Sequence, residues 1–267
     1  MPHTYFTGKV VWITGASSGI GEALVFALAK QNAKIILSAR NEPNLQAVAQ
    51  KAGLAKENYL IIPFDLADTN AAESYVQQII SKFNRIDILI NNGGMSQRAE
   101  AIATTKNTER NLFEINYFAQ VALAKAVLPV MIKQHSGQIT VVSSIAGKFG
   151  FYLRSTYSAA KHALHGYFES LRLEVEKNNI QVSLVCPGKI QTNISNNAIL
   201  ADGSKHAKMD ESHVGAMTAE ECANKILTGI ENNKHEILVG RKEVLTVYVK
   251  RFFPGWLYKI LKKQSPY

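Results

Sequence analysis

Short runs of aliphatic and β-branched residues alternate along the chain with longer stretches in which apolar positions recur every three or four residues. The runs at 9–13 (KVVWI), 34–38 (KIILS), 59–64, 86–90 (IDILI), 138–142 (QITVV), 181–185 (QVSLV) and 236–239 show little polar alternation. A strand with one wet face alternates apolar and polar side chains, so these runs predict strands buried on both faces. Between them, 19–31, 42–52, 69–83, 107–134, 155–178 and 218–231 read as amphipathic helices. Thr218 followed by Glu221 marks the start of the last of these as a capping box. Strands and helices in alternation predict an α/β fold with helices on both faces of a parallel sheet. Right-handed crossovers then favour a Rossmann-type doubly wound sheet of about seven strands, in the order 3-2-1-4-5-6-7. No repeat, low-complexity stretch or linker divides the chain. It reads as one catalytic domain over 1–243, with an irregular insertion at 189–217 and a tail at 244–267.

The first predicted strand runs directly into Thr14-Gly15-Ala16-Ser17-Ser18-Gly19-Ile20-Gly21, and a helix opens at the last glycine. Glycines in that context let the backbone turn tightly and approach a pyrophosphate, which rests on the free N–H groups of the helix start. Gly15, Ser17, Ser18, Gly19, Ile20 and Gly21 are therefore candidate dinucleotide-binding residues. Arg40 follows Gly21 by 19 positions, at the end of the second strand, with no acid in line. An acid there accepts hydrogen bonds from a ribose 2′-hydroxyl, whereas an arginine suits a 2′-phosphate, so NADP(H) is expected in preference to NAD(H).

Tyr157 and Lys161 are spaced i,i+4 on a predicted helix and share one face. Ser143 and Ser144 end the strand before them, at the carboxyl edge where ligands bind in this architecture, and Asn116 lies in the long helix before that strand. A free tyrosine has a pKa near 10, too high for an effective acid at neutral pH. A nearby ammonium stabilises the phenolate and lowers that value. A hydroxyl beside the phenol can hydrogen-bond a substrate carbonyl as charge develops on its oxygen.

These motifs resemble those of the short-chain dehydrogenase/reductase family. The glycine turn at 14–21, Asp65, Asn91-Asn92-Gly93-Gly94, Asn116, Ser144, Tyr157-Ser-Ala-Ala-Lys161 and Pro187-Gly188 fall in that family's order and spacing, over residues 8 to about 240. The stretches 91–98 (NNGGMSQR) and 158–164 (SAAKHAL) further resemble the branch containing dehydrogenase/reductase member 7 proteins and hydroxysteroid dehydrogenases. The resemblance implies that Tyr157 exchanges the proton with the carbonyl oxygen and that Lys161 lowers its pKa and holds the nicotinamide ribose. It implies that Ser144, rather than Ser143, orients the carbonyl, and that Asn116 holds a proton-relaying water. It further implies contacts from Asp65 and Leu66 to the adenine, and from Asn92 and Gly93 to the adenosine ribose. Pro187, Gly188, Ile190 and Thr192 would embrace the carboxamide and pyrophosphate, with Ser17 and Arg40 on the 2′-phosphate. Gly93-Gly94 departs from the Ala-Gly of many relatives, at a cost in backbone entropy but without loss of a functional group.

Composition narrows the remaining classes. The chain has 267 residues, 46% hydrophobic and 19% charged, which suffices for a sizeable core and excludes disorder over most of its length. Its two cysteines, Cys186 and Cys222, give neither a disulfide framework nor a zinc spacing, so no metal and a reducing, cytoplasmic compartment are expected. Residues 1–8 lack a secretory leader pattern, and no uninterrupted apolar run is long enough to span a membrane, so secretion is not expected. The net charge is +9, and Lys250, Arg251, Lys259, Lys262 and Lys263 place five of those charges in 244–267, which holds no acid. No recognition helix or zinc spacing accompanies them, which argues against nucleic acid. Their aromatic and aliphatic neighbours fit three arrangements: a peripheral membrane contact through 244–263, a subunit interface, or docking on the chain's own domain.

Met95, Ser96, Phe149, Phe151 and Tyr152 are the candidate substrate residues, and 189–217 is the expected lid. The aromatic wall suits a hydrophobic carbonyl or alcohol such as a steroid, retinoid or lipid-like ketone. The sequence thus reads as an NADP-dependent oxidoreductase working as a homodimer or homotetramer. The alternative is a non-catalytic NADP(H)-binding sensor or scaffold of the same fold.

Overall fold

The computed structural model describes residues 5–207 and 215–263. The chain runs β1 (Val10–Thr14), α1 (Gly19–Ala29), β2 (Lys34–Ser38), α2 (Glu42–Lys51), β3 (Tyr59–Ile61), α3 (Ala72–Phe83) and β4 (Ile88–Asn91). A long helical passage follows, in which α4 (Lys106–Phe113) and α5 (Ala119–Gln134) are joined by a π-helical turn at Glu114–Phe118. Then come β5 (Gly137–Val142), α6 (Ser155–Val175), β6 (Ile180–Pro187), β7 (Ile190–Gln191), β8 (Met217–Thr218), α7 (Ala219–Glu231) and β9 (Glu236–Val239). Two helices close the chain, α8 (Leu245–Phe252) and α9 (Pro254–Lys262).

Among the described residues seven strands form one parallel sheet in the order β3-β2-β1-β4-β5-β6-β9, the expected doubly wound topology. Strand side chains point alternately to the two faces. Val11, Ile13, Ile35, Leu37 and Ile88 pack beneath α1, α2 and α7 through Leu24, Leu28, Leu45, Val48, Ile226 and Ile230. Val10, Trp12, Ile36, Leu89, Ile139 and Val182 pack beneath α3, α5 and α6 through Val76, Ile79, Val127, Met131, Leu164 and Phe168. Two dry faces explain why the strands read as unbroken apolar runs. Trp12 sits fully buried because its indole N–H finds the Ser38 hydroxyl at 2.9 Å.

The helical stretch 106–134 is long and apolar enough to cross a membrane, but Leu123, Ala124, Val127 and Met131 of α5 are spent on the core. The Thr218 capping box forms as expected: Thr218 Oγ1 accepts from Glu221 N at 3.1 Å, while the Glu221 carboxylate accepts from Thr218 N at 3.0 Å. β3 ends at Ile61 rather than reaching Phe64, and β7 pairs with β8 in a separate two-stranded ribbon that sequence alone did not predict.

The tail folds as a helix pair broken at Pro254. Leu257 is 2% exposed and packs with Ile145 and Phe149, with Val244, Val247 and Leu261 beside it. The arrangement expected as docking on the chain's own domain is thus present for one side of the tail.

Candidate active site

β1 and α1 are joined by a turn in which Gly15 and Gly19 adopt left-handed backbone, φ +64° and +58°. Side chains are excluded there by backbone as well as by φ. A Cβ on Gly21 would lie 2.1 Å from the Gly15 carbonyl oxygen, and one on Gly15 would lie 2.8 Å from Gly93 Cα. Ser18 precedes α1 without a side-chain cap, so the first N–H groups of that helix are left to the cleft. Thr14 Oγ1 accepts from Asn92 N and Gly93 N at 3.0 and 2.9 Å, and Asn92 Nδ2 donates to Thr14 O at 3.0 Å. These bonds lock the ends of β1 and β4 together. The Asn92 amide expected at a ribose is therefore committed to the turn itself. Leu66 fills the space a Gly93 Cβ would need, at 2.5 Å, which accounts for glycine at that position.

Every cofactor and catalytic candidate except Gly21 lines one cleft of about 1200 Å³ above the carboxyl ends of the strands. Gly21 acts from below, by letting α1 approach Gly15. Arg40 stands at one mouth, 70% exposed, in a loose 3.9 Å ion pair with Asp65. On the opposite wall Pro187 ends β6, and Thr192 crosses to the start of α1, where its Cγ2 would stand 3.1 Å from a Cβ on Gly19.

The catalytic candidates converge in the middle of the cleft. Tyr157 and Lys161 lie on α6 and are 6% and 4% exposed. Ser144 Oγ accepts from Ala146 N at 3.1 Å and donates to Pro187 O at 3.5 Å, and its hydroxyl opposes the rise that burial imposes on the Tyr157 pKa. Ser143 instead donates to Lys161 O at 3.1 Å and is buried, so Ser144 alone of the pair faces the phenol. Asn116 sits in the π-helical turn, fully buried, with its amide paired to both backbone groups of Met95: Oδ1 accepts from Met95 N at 3.1 Å and Nδ2 donates to Met95 O at 3.0 Å. Its side chain is consumed in positioning Met95.

The electrostatics differ from expectation in one respect. Burial raises the Tyr157 pKa above its ordinary value, and the opposing influences are the Ser144 hydroxyl and the guanidinium groups of Arg154 and Arg98. Lys161 is not among them. Its Nζ donates to Val142 O at 2.8 Å and lies 5.9 Å from the phenol ring centroid, while burial pulls its own pKa down to about 8. The cations nearest in effect to the phenol are thus the two arginines.

Of the substrate candidates, Met95, Ser96, Phe151 and Tyr152 line the cleft. Phe149 does not: at 4% exposed it packs with Ile145 and Leu257 under α9. The described part of the expected lid is held by backbone hydrogen bonds, Ile199 N to Ser96 O at 2.9 Å and Arg98 N to Ile199 O at 2.8 Å. Residues 208–214 of that insertion lie outside the described residues. Among the described residues no cluster of His, Cys, Asp or Glu could hold a metal ion.

Three polar residues that sequence reasoning missed hold the site. Gln97, fully buried, accepts from Tyr157 N at 3.1 Å and so fixes the start of α6. Gln120 donates to Gly93 O at 2.7 Å. Glu243 Oε1 accepts from Lys189 N at 3.0 Å and Arg241 N at 3.2 Å, bracing the turn after Pro187. Each acts across tens of residues and leaves no local pattern to read.

The family model described as short chain dehydrogenase matches residues 9–202. A Drosophila melanogaster protein named dehydrogenase/reductase SDR family protein 7-like is 39% identical over 264 residues, 97% of this chain and 81% of its own. The human dehydrogenase/reductase SDR family member 7 is 38% identical over 272 residues, 99% of this chain and 80% of its own. A Burkholderia phymatum short chain dehydrogenase/reductase, solved in complex with NAD, shares the fold with a TM-score of 0.82 at 21% identity, over 94% of this chain and 96% of its own. A metagenomic short-chain oxidoreductase in complex with NADP gives 0.72 at 26% identity, over 88% and 98%. The glycine turn, the Ser144, Tyr157 and Lys161 set and these matches lead to one conclusion: the chain belongs to the short-chain dehydrogenase/reductase family of oxidoreductases.

Proposed function

We propose that the protein interconverts a hydrophobic carbonyl compound and its alcohol with NADP(H), using Tyr157 as the acid and base. The observation that carries this reading is the convergence of Ser144, Tyr157 and Lys161 in the same cleft as the glycine turn. The residues present fit a dinucleotide: Gly15, Gly19 and Gly21 form a cradle that any Cβ would fill, beside the uncapped start of α1. When bound, the nicotinamide supplies hydride to the carbonyl carbon or accepts it from the alcohol carbon.

Tyr157 gives its phenolic proton to the carbonyl oxygen during reduction and takes the alcohol proton during oxidation. Ser144 donates to the same oxygen as negative charge builds there. Arg154 and Arg98 stabilise the phenolate that reduction leaves on Tyr157. Lys161, its ammonium oriented by the bond to Val142 O, would hold the ribose hydroxyls of a bound nicotinamide nucleotide. Gln97 and Asn116 fix the two backbone segments that carry these groups.

The preference for NADP(H) rests on Arg40 and Ser17 at the ribose end of the cleft. The Arg40–Asp65 pair is long and exposed, an arrangement worth at most about 1 kcal/mol, so a 2′-phosphate can displace it. Phe151, Tyr152, Leu153, Met95 and Leu261 give the other end an apolar lining suited to a lipophilic substrate. Exposed Phe118 on the π-helical turn and Leu173 on α6 favour a homo-oligomer formed through those helices.

The test is a panel of lipophilic ketones, aldehydes and alcohols assayed with both cofactors. Turnover faster with NADPH than with NADH supports the reading. Tight NADPH binding without turnover of any panel member contradicts it and favours a sensor.

A further inference from the structure

We propose that the outer face of α8 and α9 docks on a bilayer surface containing anionic phospholipid. The surface claim stands on the tail alone. Its consequence for substrate delivery rests on the proposed function.

Each tail helix carries two apolar faces, and its own domain covers only one. Val244 and Val247 of the α8 region and Leu257 and Leu261 of α9 pack inward on Ile145 and Phe149. On the outside, Leu245, Tyr248 and Phe252 repeat at i, i+3 and i+7 and are 57%, 55% and 69% exposed. Phe253, Trp256 and Tyr258 extend the patch at 62%, 59% and 68%. Half of the large apolar side chains that stand exposed among the described residues thus fall within 245–258, clustered on the two tail helices rather than scattered over the chain. Lys250, Arg251, Lys259, Lys262 and Lys263 are all exposed beside it, and 244–263 holds no acid.

That charge selects the occupant. A two-fold contact between copies sets the same patch against itself, so five cations would meet five cations. An anionic lipid surface supplies the opposite sign, and Trp and Tyr favour the boundary between headgroups and acyl chains. The location also matters. Leu261 lines the catalytic cleft, and Leu257 packs on Ile145, the residue after Ser144. A bilayer under α9 would therefore lie beside the substrate end of the cleft, where a lipophilic carbonyl compound dissolved in the membrane can enter without crossing water.

The test is sedimentation of the full chain with phosphatidylcholine vesicles, with and without roughly 30% phosphatidylserine. The proposal expects binding only to the anionic vesicles, falling steeply when salt is raised from about 0.1 M to about 1 M. Lys259→Gln/Lys262→Gln/Lys263→Gln should weaken it about a hundredfold, at about fivefold per cation removed. Phe252→Ser/Trp256→Ser should weaken it more than about tenfold, with circular dichroism unchanged. Equal binding to both vesicle types, or none to either, would overturn the proposal. So would a dimer seen by sedimentation equilibrium that Phe252→Ser/Trp256→Ser dissociates, since a second copy would then own the face. Vesicle binding without turnover of any carbonyl would remove the cleft reading and leave the surface standing. Turnover without vesicle binding would do the reverse.

Discussion

At the glycine turn the cleft is shaped by what cannot be there, since backbone atoms of Gly15 and Gly93 stand where Cβ atoms would go. At the other end it is shaped by side chains from four separate segments: Met95 and Ser96, Phe151 to Leu153, the insertion around Ile199, and Leu261 of the tail. Backbone walls hold one geometry and suit a ligand part that never changes. Side-chain walls can be exchanged without disturbing the sheet, and so carry the choice of substrate.

The sharpest way to break this comparison is to add carbon to each kind of wall. Gly21→Val drives a side chain into the Gly15 carbonyl, which cannot yield, and dinucleotide affinity measured by fluorescence titration should fall on the order of a hundredfold or more. Gly93→Ala meets mainly the tip of the Leu66 side chain, and the loss should stay below about tenfold. Equal losses would mean that backbone does not define this end.

Lys161 sits where the two walls meet. Between its pKa of about 8 and the ordinary 10.5, the unfolded chain binds a proton that the folded chain does not. Its contribution to stability is therefore most unfavourable below about pH 8 and improves as pH rises through that window. Lys161→Met should be more stable than the parent at neutral pH by about 3 kcal/mol, and the difference should close toward pH 10.5 in denaturant titrations. A difference independent of pH would mean that the ammonium is not desolvated.

Arg40→Ala should reduce the preference for NADPH over NADH by about tenfold to thirtyfold, the worth of a charge-assisted contact to phosphate. An unchanged ratio would take the cofactor preference away from this residue. The smallest effect is expected on the side-chain wall: Phe151→Ala should raise KM for a lipophilic substrate by about threefold to tenfold with kcat nearly unchanged, because it removes binding common to ground and transition states.

The same contrast governs what could be read from the sequence. Strands β1, β2, β4, β5 and β6 announced themselves because both sheet faces are dry, so their runs are predominantly apolar. The glycine turn was legible because backbone constraints act between close neighbours in the chain. Tyr157 and Lys161 were legible because α6 sets their spacing. Gln97, Gln120 and Glu243 were not, since each is a single polar residue whose partner lies 27 to 60 positions away. Phe149 read as a cleft residue because nothing local shows that α9 would cover it. The raised Tyr157 pKa escaped for a related reason: burial is a property of the assembled fold, and the lysine that the i,i+4 spacing brings near donates to Val142 O instead.

Tyr157→Phe tests the central claim most directly, because it removes one oxygen from a buried phenol and leaves the ring packing in place. The account predicts NADPH affinity within about threefold of the parent, since the glycine turn and Arg40 are left in place, and a loss of turnover of at least about a hundredfold, the scale of general acid–base catalysis. Turnover retained within about threefold of the parent would contradict it and place the acid elsewhere in the cleft.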